Sequence, residues 1–119
     1  MKNDSPSYGL ALAASKGKLF GLHMNDGYGR MDSGMIFGSV NLGLSLEFVY
    51  YLKKYHYEGV VFFDTFPIRE GAAEETQANI DAFEKLSDLV DSVGLEAIGD
   101  VISKCDGIGA QKLVLGMLK

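Results

Sequence analysis

Two apolar runs that each stop on a metal-ligand side chain constrain this chain more than any other feature: Leu22-His23-Met24-Asn25-Asp26-Gly27-Tyr28-Gly29 and Phe62-Phe63-Asp64-Thr65-Phe66-Pro67-Ile68-Arg69-Glu70. The ligand types are His23 in the first and Asp64 in the second. Between the runs lie a loop and a helical pattern, the spacing of a βαβ unit. In parallel sheets with helices outside, ligands gather beyond the carboxyl ends of the strands. Neighbouring strands stand roughly 4.8 Å apart, so direct pairing of the two would put His23 and Asp64 within reach of one cation.

The elements around these runs follow from local signals. Ser5-Pro6 reads as an N-cap with proline in the first turn, and Gly17 as the stop of the helix between them. Leu19 to Met24 reads as a short buried strand. Residues 25–44 form a long segment carrying Gly27, Gly29, Gly34, Gly38 and Gly43; loops of this length within a small domain are usually functional or disordered. A second helix is expected from about Leu46 to His56, with Ser45 as its N-cap. Val60 to Asp64 is a continuous apolar run of the kind covered on both faces in parallel sheets, stopped by Pro67. From Glu74 to Val93 the pattern is helical, with Ile80, Phe83, Leu86, Val90 and Val93 on one stripe, and Gly94 follows as a C′ residue. The tail from Leu95 to Lys119 is helical in character but interrupted by Gly99, Gly107, Gly109 and Gly116.

Composition narrows the function classes. The 119 residues suffice for one domain with a modest core. The net charge is −5 with scattered Lys and Arg, which gives no footprint for nucleic acid. No apolar window approaches the roughly 18 residues needed to span a bilayer, and no signal peptide is legible at the amino terminus. The single Cys105 excludes an internal disulfide and fits a reducing compartment, so the expected location is cytoplasmic.

The stretch HMNDGYGRMDSGMIFGSV (His23 to Val40), followed by a helical pattern and FDTFPIR (Phe63 to Arg69), resembles the last two strands of the xylose-isomerase-like sugar isomerases. Within that group it is most similar to the L-rhamnose isomerase type, which carries H-x-N-D, a Tyr-Gly, an acidic cluster and a Gly-Ser, then F-D-x-x-P-x-R. The resemblance covers roughly residues 6–93. It implies an α/β fold, a partial (β/α)8 TIM barrel made of the last two β/α units plus C-terminal helices. Residues 1–94 would be the C-terminal part of such a barrel and 95–119 a helical tail.

By the same resemblance, His23 and Asp64 hold a divalent metal, with Mn2+ expected and Mg2+ or Co2+ as relatives. Asp32 falls where the family places the first of two aspartates that bind a second, catalytic metal. The other aspartate would fall at Gly34, which has no side chain. Arg69 and Asp26 would contact a monosaccharide substrate. The implied reaction interconverts an aldose and a ketose at carbons one and two. The remaining ligands of the family lie on earlier strands that would precede residue 5. A cation wanting about six ligands would then find two, which predicts weak metal binding and no turnover by these residues alone.

Two other readings stand beside this one. A ketose 3-epimerase relative would need glutamates on the metal, and the second run ends in Asp64. A non-catalytic fragment could instead be stabilised by self-association, because open strand edges invite pairing and a homo-oligomer would cover them. For single residues, Asp64 could be neutralised by Arg69 in a purely structural pair, and His23 could cap a strand end. His56 reads as structural at a helix end. Cys105 reads as a packed thiol, and Tyr50, Tyr51, Tyr55 and Tyr57 as packing groups.

Overall fold

The first helix starts where its cap chemistry says it should. In the computed structural model, which describes residues 5–29, 31–68 and 70–118, α1 spans Pro6–Ser15. The Ser5 hydroxyl accepts the Tyr8 N–H at 3.3 Å, and Gly17 takes the left-handed conformation (φ 66°) that ends the helix. Ser7 and Leu10 are its buried residues.

The strands β1 (Leu22–Met24) and β2 (Val61–Phe63) pair in parallel, with Leu22 beside Val61, His23 beside Phe62 and Met24 beside Phe63. Side chains alternate across the sheet. Met24 is buried, and Leu22, Val61 and Phe63 pack on the core. His23 and Phe62 lie on the opposite, exposed face. Helix α2 (Leu42–Lys54) connects the two strands. It begins four residues before the position that Ser45 suggested, because Asn41 is the cap and Ser45 sits inside the helix, donating its N–H to the Asn41 carbonyl at 2.9 Å. After the Tyr55 cap, His56 adopts a left-handed φ of 54°, a place more often given to glycine.

Helix α3 (Ala72–Val93) turns a stripe of Glu75, Asn79, Leu86 and Val90 inward. The expected stripe is displaced by one residue at its start, since Asn79 is fully buried while Ile80 is exposed. Gly94 (φ 93°) joins α3 to α4 (Leu95–Ser103), and α5 (Gly107–Met117) closes the described chain. The break in the tail falls at Lys104–Asp106, where Cys105 has φ 51° and the Asp106 carboxylate caps the Gly109 N–H at 2.8 Å. Gly99 lies within α4 against the Tyr50 hydroxyl, and Gly107, Gly109 and Gly116 lie within α5. The core is Met24, Phe37, Val49, Tyr50, Leu86 and Val90, drawn from β1, the following loop, α2 and α3. Each such side chain contributes roughly 1.5–3 kcal/mol by leaving water.

The expected partial TIM barrel is not what this chain forms. It is a small α-rich domain, with 58% of the described residues helical, and among those residues two short parallel strands make the whole sheet. A barrel wall needs every strand paired on both sides, and here each strand has a single neighbour and three paired residues. The runs expected at Leu19–Met24 and Val60–Asp64 shorten because pairing begins only at Leu22 and Val61, after Gly21 and Gly59-Val60. None of the helices among the described residues is long and apolar enough to cross a membrane.

Candidate functional site

Parallel pairing in register brings the two strand ends together. The His23 Nδ1 and an Asp64 side-chain oxygen lie 3.7 Å apart, with the side chains 70% and 45% exposed. That separation is too long for a hydrogen bond. Two ligand atoms each about 2.1 Å from an ion stand roughly 3–4 Å apart, so the pair fits a shared divalent cation, and an imidazole with a carboxylate is a donor set suited to one. The Phe62 ring lies 4.9 Å from the imidazole, tilted by 43°.

Asn25 links this pair to Asp32. Its side-chain amide donates to the Asp32 carboxylate at 3.2 Å and to the Asp64 backbone carbonyl at 3.1 Å. The Asp64 N–H in turn donates to the Met24 carbonyl at 2.9 Å, continuing the strand ladder by one residue. The same Asp32 oxygen receives the Gly34 N–H at 3.3 Å. His23, Asp64 and Asp32 are therefore gathered at one end of the sheet, with Asn25 as the connector that the sequence reading did not single out.

Asp26 goes elsewhere. It is 8% exposed and forms an antiparallel backbone bridge with Met35, each donating its N–H to the other's carbonyl, at 2.9 and 3.0 Å. One carboxylate oxygen accepts the Gly27 N–H at 2.8 Å and the Asn41 side-chain amide at 2.6 Å. The other accepts the N–H groups of Val40 and Asn41, both at 2.8 Å. Burial pushes this carboxyl up, but the bonds from Asn41, Val40 and Gly27 outweigh it and hold the pKa below the usual 3.8. Four donors use both oxygens, and the group anchors the start of α2. Arg69 lies outside the described residues.

Gly34, where the family's second aspartate would fall, has φ 52°, and a side chain there would collide with the Phe66 ring. The Phe66 N–H donates to the Gly34 carbonyl at 2.8 Å, so the two loops close on one another at this glycine. Asn79 holds the same region from α3. It accepts the Phe37 N–H at 2.8 Å and donates to the Thr65 hydroxyl at 3.1 Å. A polar residue on the inward stripe of α3 was the signal that could have found it.

A cleft of about 200 Å³ lies beside His23, lined also by Asn25, Asn41, Pro6, Leu44 and Phe48. It is smaller than the roughly 300–1,000 Å³ of ordinary ligand pockets, so a ligand at His23 would need a further wall. Among the described residues, no group of three or more His, Cys, Asp or Glu side chains is arranged to hold a metal ion. No protein-family model matches the chain, and no curated protein matches it.

Proposed function

We propose that this chain is part of a divalent-metal-dependent aldose–ketose isomerase, in which His23 and Asp64 supply two of the metal ligands and the rest come from polypeptide outside these residues. The observation that carries the reading is the His23–Asp64 pair, 3.7 Å apart at the carboxyl ends of adjacent parallel strands. The motif order His23-x-Asn25-Asp26 then Phe63-Asp64-x-x-Pro67-x-Arg69 supports the sugar substrate and Mn2+ as the expected metal. A bound divalent cation would polarise the sugar carbonyl as a Lewis acid. His23 and Asp64 would hold it. Asn25 links the Asp32 carboxylate to the Asp64 backbone carbonyl, and in this reading Asp32 would position a water or accept a substrate hydroxyl proton. A cytoplasmic setting fits the single Cys105.

Manganese is paramagnetic and broadens the nuclear resonances of the groups it approaches, which makes weak binding visible. Titrating Mn2+ into the isotope-labelled chain should broaden His23, Asn25 and Asp64 first, and His23→Ala and Asp64→Ala should each abolish the effect. Broadening confined to scattered surface carboxylates would overturn the metal site. Turnover is assayed in concentrated solution with a panel of pentoses and 6-deoxyhexoses. The chain alone is expected to convert no sugar; Mn2+ binding at His23 with no conversion of any sugar once a polypeptide supplying the remaining ligands is fused or co-expressed would count against the isomerase reading.

A further inference from the structure

One wall of the cleft beside His23 is a single face of α2. Asn41, Leu44, Ser45 and Phe48 all line it, and positions i, i+3, i+4 and i+7 share one side of a helix. Polar and apolar groups therefore alternate along that wall. Pro6 of α1 and the strand end from His23 to Asp26 form the rest.

The polar groups of this wall have acceptors to spare. Ser45 is 6% exposed, and among the described residues only its backbone N–H is engaged, by the Asn41 carbonyl; its hydroxyl neither donates nor accepts a hydrogen bond. A hydroxyl held this deep without a partner is costly unless a ligand or water completes it. Asn41 spends its amide hydrogens on the Asp26 carboxylate at 2.6 Å and the Gly27 carbonyl at 2.7 Å, and its side-chain oxygen makes no capping bond to the helix. Such a wall calls for hydrogen-bond donors. The Asp26 carboxylate already has four donors and needs no cation, and no Lys or Arg among the described residues lines the cleft to neutralise an anion. A neutral polyol meets both conditions. A sugar also has a face of C–H groups, which suits Leu44 and Phe48.

We infer that Asn41 and Ser45 determine which sugar the site accepts, each receiving a hydroxyl from the end of the sugar away from the metal while Leu44 and Phe48 pack on its C–H face. The inference rests on the isomerase reading for the sugar and adds the residues that choose among sugars. The cleft of about 200 Å³ holds roughly six waters at about 30 Å³ each, room for part of a monosaccharide, with the carbonyl end left at the His23–Asp64 pair. A site built to bond a hydroxyl rejects the analogue that lacks it, because its acceptors are then left unpaired. The favoured class is thus an aldose with a hydroxyl on its terminal carbon, ahead of its 6-deoxy counterpart.

The test is a titration of aldohexoses, each paired with its 6-deoxy form, into the isotope-labelled chain with chelator present, so that no metal is needed. At least one aldohexose should shift the Asn41 side-chain amide, Ser45 and Phe48 at millimolar concentration. Its 6-deoxy form should bind about threefold or more weakly, and cyclohexanol, which has one hydroxyl, more weakly still. Ser45→Ala should weaken the sugar by about three- to tenfold while its urea midpoint stays at or above wild type, since the lost hydroxyl bonds nothing in the folded chain. Should that variant fail to fold, Ser45→Cys replaces it. No shift at Asn41 and Ser45 with any sugar, 6-deoxy forms as tight as their parents in every pair, cyclohexanol as tight as the sugars, binding only by an amino sugar, or Ser45→Ala binding like wild type would each overturn the inference. Mn2+ broadening at His23 without sugar shifts at Ser45 refutes the sugar wall and leaves the metal reading standing. Sugar shifts at Ser45 without Mn2+ broadening at His23 support the wall and refute the metal site.

Discussion

Replacing Asp26 by asparagine should cost about 3 kcal/mol of stability and little else. In the native loop each carboxylate oxygen accepts two donors, one oxygen from Gly27 and the Asn41 amide, the other from the Val40 and Asn41 backbone. An asparagine keeps one oxygen for two of them and must turn its own amide hydrogens toward the other two. Two charge-assisted hydrogen bonds are lost, at roughly 1.5–3 kcal/mol each. Native domains have only about 5–15 kcal/mol in total, so the midpoint of thermal unfolding should fall by roughly 10 °C. The pH dependence carries a sign. The folded pKa is lowered, so the stabilisation is complete above the ordinary value of 3.8 and is lost as pH falls through the depressed folded value. Wild type should lose stability steeply below about pH 4, and the variant, lacking this group, less steeply.

Urea unfolding followed by far-ultraviolet circular dichroism, at neutral pH and along an acid series, measures both effects. A loss under about 0.5 kcal/mol at pH 7, or an acid limb identical to wild type, would refute the argument that this carboxylate is the anchor of α2. The outcome also separates two roles for one residue. A substrate-binding Asp26 would be replaced with its stability intact and its sugar affinity lost.

Gly34→Asp, which supplies the aspartate that the isomerase pattern wants, should lower stability by about 2–4 kcal/mol through backbone strain and the clash with Phe66, and should leave Mn2+ affinity, read by calorimetry, unimproved. Asn79→Ala should cost about 1–3 kcal/mol in urea unfolding, because the buried Phe37 N–H loses its acceptor, and hydrogen exchange at Phe37 should quicken.

How far the sequence reveals the fold depends on the range of the signal. Helix α1 is legible because Ser5, Pro6 and Gly17 act within a turn of the residues they cap. The start of α2 is not, because it is fixed by Asp26, fourteen and fifteen positions before the N–H groups it receives. Ser45 is a good cap residue locally, and the distant carboxylate overrides it. In the tail, glycines suggest breaks, yet the turn is made by Cys105, whose left-handed conformation no propensity favours. The barrel expectation fails for a related reason. Two strand-end motifs specify a local pairing, which the sheet has, but closure is a property of strands on both sides, and short motifs say nothing about those.

The site was more legible than its residues suggested, had the strand alternation been followed past the strand. His23 faces out and Met24 is buried; Asn25 is then exposed and Asp26 buried, so period two persists two residues beyond β1. The same parity in β2 leaves Phe62 exposed, Phe63 against the core and Asp64 partly exposed. On this count His23, Asn25, Phe62 and Asp64 belong to one face and Asp26 to the other. That division separates the two neighbouring polar residues of the His-x-Asn-Asp motif by role: Asn25 connects the metal-type pair to Asp32, and Asp26 holds the loop to α2. The remaining carboxylate, Asp32, lies in a loop without periodicity, and only its hydrogen bond from Asn25 places it at the sheet. Alternation could not have found it, which is why its position had to come from the folded chain.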